Sequence, residues 1–125
     1  MIIGTGVDIV EIARMEKAYN KWGIHFAQRI LTKSEIEALL ARKDGPTYLA
    51  SRFAAKEAFL KALGTGYSQG ISWHDMEVIR KRGERPYLNI SGKAYSLMKK
   101  AGAHEPHLSL SHEKKFAIAQ VILEA

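Results

Sequence analysis

Cysteine is absent from this 125-residue chain, so disulfides and thiolate metal sites are excluded at once. Proline occurs only 3 times, and no Pro- or Ser-rich linker, repeat or low-complexity run divides the sequence. No apolar run approaches the length of a membrane span. The opening MIIGTGVDIVEIARM interrupts its apolar residues with Asp8 and has no small-residue cleavage site, so it does not read as a signal peptide. An arginine-rich run and an aromatic RNA-binding signature are missing too. The expectation is one compact cytoplasmic domain over 1–125, long enough for one core and too short for two.

Acidic residues are the minority charge. Lys and Arg number 19 against 13 Asp and Glu, a formal net charge of +6. Such a surplus suits nucleic acid, a phosphorylated small molecule or an acidic protein partner, and composition alone does not choose among them.

Residues 2–10, IIGTGVDIV, are β-branched and glycine-rich and read as a strand. Alternation places Gly4, Gly6 and Asp8 on one face. Two missing side chains beside an acid leave space for something to approach the backbone, unless Asp8 is simply a cap on a close-packed strand. From Glu11 to Trp22 the period becomes helical, with Ile12, Met15, Tyr19 and Trp22 on one side. Arg14, Lys17 and Lys21 share another side, either an ordinary solvated face or a docking surface for an acidic partner.

A short helix near Phe26–Leu31 is followed by Thr32-Lys33-Ser34-Glu35, a capping-box pattern that Ser34 to Glu37 repeats in a second register. That helix runs toward Arg42 and stops at Asp44-Gly45-Pro46. A long helix spans roughly 47–63, and Gly64 is placed to end it in a left-handed cap. The second half is β-rich. Strands are expected at Met76–Arg80, Tyr87–Ile90, Leu108–Ser111 and Phe116–Leu123, with a helix from Gly92 to Ala101 capped by Ser91. The last strand is apolar on both faces except at Gln120, as in a strand covered on both sides or lying between subunits.

The long helix poses a problem of charge. RFAAKEAFLKALGTG, residues 52–66, has apolar side chains on every side, which predicts burial, yet it carries Arg52, Lys56, Glu57 and Lys61. Glu57 and Lys61 lie within about 40° of each other on the wheel, as do Arg52 and Lys56, and the two pairs are about 100° or more apart. An i, i+4 ion pair between Glu57 and Lys61 is worth only about 0.2–0.5 kcal/mol, too little to justify ionised groups in an apolar setting. A polar cleft along the helix would compensate them better. Asp8 and Glu57, with no His or Cys beside them, suit a hard cation such as Mg²⁺, which takes oxygen ligands and fills its shell with water and phosphate. Arg52 and Lys61, donors only, would then neutralise a diphosphate. The segment GTGYSQG could offer backbone N–H groups to phosphate or be a plain helix exit; it is no Walker loop.

Two segments resemble the holo-(acyl-carrier-protein) synthases, the short form of the 4′-phosphopantetheinyl transferases. GTGVDIVEIARM at 4–15 is similar to that family's G-x-D-[IV]-x-x-[IV]-x-R opening. RFAAKEAFLKALGTG at 52–66 is similar to its R-[FW]-[AS]-x-K-E-[AS]-x-x-K-A-[FL]-G-T-G motif, with weaker echoes at 70–78, 83–88 and 107–122. The resemblance covers the full length. It implies an α+β fold with a mainly antiparallel sheet and a long buried central helix, usually a homotrimer with active sites between protomers. It also implies Mg²⁺-dependent transfer of the phosphopantetheine arm of coenzyme A to a serine of apo-acyl carrier protein, in support of fatty acid biosynthesis. By position, Asp8 and Glu57 would be the metal ligands, with Glu57 and Lys61 carrying the chemistry. Arg52, Lys61, Gly64, Thr65, Gly66, His107, Ser109, Ser111 and His112 would line coenzyme A. Arg14, Lys17 and Lys21 would face the acidic carrier. A basic RNA- or nucleotide-binding module without catalysis is the rival reading, and it leaves Asp8 and Glu57 as liabilities beside phosphate.

Overall fold

A computed structural model describes residues 1–125. The chain runs β1 (Ile2–Glu11), α1 (Ile12–Trp22), α2 (Ile24–Ile30), α3 (Lys33–Leu40), α4 (Gly45–Leu63), β2 (Met76–Ile79), β3 (Tyr87–Ile90), α5 (Gly92–Lys100), β4 (Glu105–His112) and β5 (Phe116–Glu124). A single 3-10 turn, Trp73–Asp75, precedes β2. Strands β1, β5 and β4 form one antiparallel sheet in that order, and β2 and β3 form a separate antiparallel hairpin. The expected α+β architecture, antiparallel sheets around a long buried helix, is therefore present.

Helix α4 lies across the inner face of the three-stranded sheet. Its apolar residues point in every direction because the fold covers it on most sides: Leu49, Ala54, Ala55, Ala58, Phe59 and Leu60 are all buried. The opposing layer is the inner side of β5, where Ala117, Ala119, Val121 and Leu123 are buried. Alanines on both surfaces let the helix and sheet approach closely. The approach is closest at β1, where a Cβ on Gly4 would lie 2.0 Å from the Ala62 carbonyl oxygen. A Cβ on Gly6 would lie 2.1 Å from that of Ala58. The gap that the glycines leave on one face of the strand is thus filled by the helix itself.

The local stop signals are of mixed fidelity. Thr32 and Glu35 form the capping box, and Gly64 ends α4 at φ 86, its N–H donating to the Leu60 carbonyl. Ser34 does not start the helix in its second register; its hydroxyl donates to Glu77. Ser91 stands at the N-cap of α5 but makes no side-chain cap bond. The Asp75 carboxylate takes that role, accepting the Ala94 N–H at 3.2 Å from across the chain.

Pairing puts a second row of side chains on the outer face of the sheet. Thr5, Val7 and Ile9 stand beside Ile122, Gln120 and Ile118, which in turn stand beside His107, Ser109 and Ser111. Val7 and Ile9 keep 53% and 61% of their surface exposed, so this apolar face has no cover within the chain.

Candidate active site

The crossing of β1 and α4 creates the first cluster. Because Gly4 and Gly6 bring the backbones together, Asp8, on the same strand face, lands beside the last turns of the helix. Lys61 Nζ donates to Asp8 Oδ1 at 2.9 Å and to the Val7 carbonyl at 3.1 Å. The ion pair that Lys61 makes is thus with Asp8 on the strand, and the i, i+4 alternative with Glu57 is not adopted. Glu57 faces the same space. Burial, and after it the nearby Asp8 carboxylate, push its carboxyl above the usual range, with Lys61 opposing them. A cavity of about 250 Å³ opens here, lined by Asp8, Glu57, Phe53, Met15 and Arg14 among others. Arg14 therefore belongs both to the exposed basic side of α1, which it shares with Lys17 and Lys21, and to the wall of the carboxylate cavity.

The donor set suits a hard divalent cation. Two carboxylates from separate elements face each other closely enough for Asp8 to discourage ionisation of Glu57, and no His or Cys stands among the residues lining the cavity. A cation between them would relieve that repulsion.

Arg52 belongs to a second cluster on another side of α4. Its guanidinium lies 4.2 Å from the ring centroid of Tyr48 and donates from Nη1 to Ser51 Oγ at 3.0 Å. Its Nε is buried and has no partner. Beside it is a cavity of about 320 Å³, whose lining includes Arg42, Arg80, Ser51, Ser111 and His112. Arg42 is already engaged by Asp44 at 2.7 Å. The Arg52 guanidinium, Arg80 and the His112 imidazole give this cavity donor groups, the chemistry that receives phosphate. It shares no lining residue with the carboxylate cavity. Within one protomer, then, Arg52 stands with Ser111 and His112 and apart from Lys61.

Lys56 has a different explanation from its neighbours. It is fully buried, and its ammonium donates to Glu35 Oε1 at 2.7 Å, the Ile30 carbonyl at 2.6 Å and the Trp73 carbonyl at 3.4 Å. Glu35 in turn accepts the N–H groups of Thr32 and Val78. Three donors meet three acceptors, so this charge is satisfied inside the protein and needs no cleft.

The remaining expected residues are dispersed. Gly64, Thr65 and Gly66 begin three residues after Lys61, with the Thr65 hydroxyl turned to the Gly66 carbonyl. His107 and Ser109 point from the outer face of the sheet, and His107 Nε2 lies 2.9 Å from Glu124 Oε1, in neither cavity. Arg42, Arg80 and Tyr48 had no assigned role from sequence. The cation–π contacts of Tyr48 with Arg52 and Arg42 span four and six residues, and only the first is a spacing readable on a helix. Arg80, 28 residues beyond Arg52, offered none.

An α+β body with paired carboxylates, a lysine and a separate arginine cavity has the donor groups of a protein for phosphorylated substrates. The sequence profile of the 4′-phosphopantetheinyl transferase superfamily matches residues 4–121. A holo-[acyl-carrier-protein] synthase of Geobacter sp. (strain M21) is 50% identical over 124 residues, 99% of each chain. The crystal structure of the Neisseria meningitidis holo-[acyl-carrier-protein] synthase superposes with a TM-score of 0.90 at 36% identity over 100% of both chains. That of the Bacillus anthracis synthase in complex with CoA (3′,5′-ADP) gives 0.84 at 41% identity, over 100% of this chain and 98% of its own. The chain belongs to the 4′-phosphopantetheinyl transferase superfamily.

Proposed function

We propose that this chain transfers the 4′-phosphopantetheine arm of coenzyme A to a serine hydroxyl of an apo-acyl carrier protein, releasing adenosine 3′,5′-bisphosphate. The observation that carries the reading is the β1–α4 crossing, which sets Asp8 and Glu57 in the wall of one cavity and pairs Lys61 with Asp8, in a chain of this family. The Bacillus anthracis relative in complex with CoA supports coenzyme A as the donor substrate.

Asp8 and Glu57 would hold Mg²⁺, which when bound supplies positive charge to the diphosphate and to the charge that develops on the transferring phosphoryl group. The chain's own groups do the rest. Lys61, its side chain 53% exposed, extends from the Asp8 carboxylate toward solvent and offers its remaining N–H to a phosphoryl oxygen. Glu57, which burial and the Asp8 carboxylate make a stronger base, would in its ionised form take the proton of the attacking serine, directly or through a water. Phosphoryl transfer asks little covalent chemistry of the protein, so positioning and charge carry the rate.

Arg52, Ser111 and His112 receive phosphates of the nucleotide end, and Gly64-Thr65-Gly66 presents backbone to it. Since one protomer places Arg52 away from Lys61, the complete site forms between protomers. The uncovered outer sheet face, with Val7, Ile9, Phe116 and Ile118 exposed, is the surface that such an assembly buries, and a homotrimer is the form proposed. His107 and Ser109 lie on that face and reach substrate only across it. Arg14, Lys17 and Lys21 meet the acidic helix of the carrier protein beside its serine, with Arg14 joining that surface to the carboxylate cavity. The setting is a single domain in the cytoplasm, serving fatty acid synthesis.

Purified protein incubated with coenzyme A, Mg²⁺ and an apo-carrier protein tests the reading by mass spectrometry. The carrier should gain the mass of one phosphopantetheine, and Asp8→Ala should abolish the gain. No gain on any of several carriers would favour a phosphate-binding module without catalysis.

A further inference from the structure

The loop between α4 and the 3-10 turn is built almost without attachment. Gly64, Gly66, Gln69 and Gly70 all have positive φ, and the hydrogen bonds of Thr65–Ile71 run only within that segment: Ser68 N–H to Gly66, Ile71 N–H to Ser68, and the Ser68 and Thr65 hydroxyls to Thr65 and Gly66. Two side chains tie it to the body. Ile71 is buried at its far end. At its centre the Tyr67 ring stacks on Trp73, with centroids 4.3 Å apart and planes at 7°. Trp73 packs in turn on Phe53 at 5.4 Å, and its carbonyl accepts from the buried Lys56 ammonium. Phe53 is part of the wall of the Asp8–Glu57 cavity. A short aromatic series thus connects the middle of a glycine-rich loop to the carboxylate site.

We propose that Tyr67 is a positioning residue for coenzyme A: its stack on Trp73 holds the Gly64–Gly70 loop in the conformation that receives the substrate, against the Phe53 wall of the site. The inference rests on the transferase reading above. A loop with four left-handed residues has many unfolded alternatives, and ordering it on binding would weaken affinity; the stack meets that entropy beforehand. Tyr67 touches the loop's scaffold and none of the reacting groups, so its contribution belongs to binding and not to the chemical step.

The test measures coenzyme A binding by calorimetry with Mg²⁺ present, together with steady-state kinetics, for wild type, Tyr67→Ala and Tyr67→Phe. Tyr67→Ala should raise Kd and KM for coenzyme A by about two- to tenfold, the factor an aromatic pair contributes, with kcat and the KM for carrier protein near wild type. Tyr67→Phe, which keeps the ring, should restore wild-type values. In a Trp22→Phe background Trp73 is the sole indole, so Tyr67→Ala should also shift its emission to longer wavelength. An unchanged coenzyme A affinity in Tyr67→Ala with a shifted Trp73 emission would overturn the proposal and leave the transferase reading intact. A Tyr67→Phe variant as weak as Tyr67→Ala would overturn it as well, because the hydroxyl and not the stack would then be at work. Wild type that neither binds coenzyme A nor modifies a carrier would overturn both.

Discussion

Placing alanine at position 6 is the sharpest perturbation of this architecture. The added Cβ would lie 2.1 Å from the Ala58 carbonyl oxygen, 2.6 Å from the Ala62 amide nitrogen and 3.0 Å from Lys61 Cβ. The two nearest atoms are main chain of a buried helix, so no rotamer change relieves the clash. Strand and helix must separate by about 1 Å to reach ordinary van der Waals distance. Overpacking of this kind costs about 1–3 kcal/mol, and backbone against backbone belongs at the top of that range. At roughly 3–5 °C per kcal/mol for a chain of this length, Gly6→Ala should melt about 10 °C below wild type by calorimetry. The same displacement moves Asp8 away from Glu57 and Lys61, and misplacement of about 1 Å can cost on the order of 100-fold in rate. Gly83→Ala is the control: its φ is +80 and nothing lies within 4 Å of the new Cβ. It should lose about 1–2 kcal/mol to backbone strain while transfer activity is retained. Wild-type melting and wild-type transfer in Gly6→Ala would refute the argument that the missing side chain sets the site.

Lys56→Met should destabilise by about 3–5 kcal/mol because it strands the Glu35 carboxylate in the core, and Lys56→Met/Glu35→Gln should recover most of that loss in chemical denaturation. Glu57→Gln tests the carboxyl that burial and Asp8 push upward. The folded state disfavours ionised Glu57, so wild type bears no penalty below the unfolded value and the full penalty above the folded one; without Mg²⁺, the melting temperature of Glu57→Gln relative to wild type should therefore rise as the pH climbs above the ordinary glutamate value of about 4.3. A flat difference would contradict the assignment. Ile9→Glu/Ile118→Glu should sediment as a monomer and lose transfer activity, whereas an unchanged assembly would remove the outer sheet face from the interface. Reversing Arg14, Lys17 and Lys21 to Glu should raise the KM for carrier protein and flatten its salt dependence, with coenzyme A affinity unchanged.

Most elements are legible in the sequence because their signals are local. The period of Ile12, Met15 and Tyr19 marks α1, the Thr32–Glu35 box starts α3, and Gly64 ends α4. The approach of something to the Gly4–Gly6 face is readable too, although not that the helix itself is what approaches. The helical wheel already separates Arg52 from Lys61, and the structure realises that separation as two cavities. Long-range partners are illegible, for a physical reason: nothing in spacing marks Glu35 as the counter-ion of a lysine 21 residues away, or Asp75 as the cap of a helix that begins beyond Ser91. Their geometry comes from the packing of several elements at once. Tyr67 escapes notice similarly, since its stack depends on where a loop without a period happens to turn.

The enclosure of Lys56 has a practical consequence for chemistry done on the protein from outside. Acylating or reductively methylating reagents need an accessible, neutral amine. The Lys56 amine has no exposed surface, and its three N–H groups are all engaged by Glu35, Ile30 and Trp73. Exposed lysines such as Lys17 and Lys21 take a label freely. Lys56 becomes available only when the packing of α2, α3, α4 and the 3-10 turn comes apart together. Its labelling rate, followed by peptide mass, is therefore a built-in clock for the opening of the core.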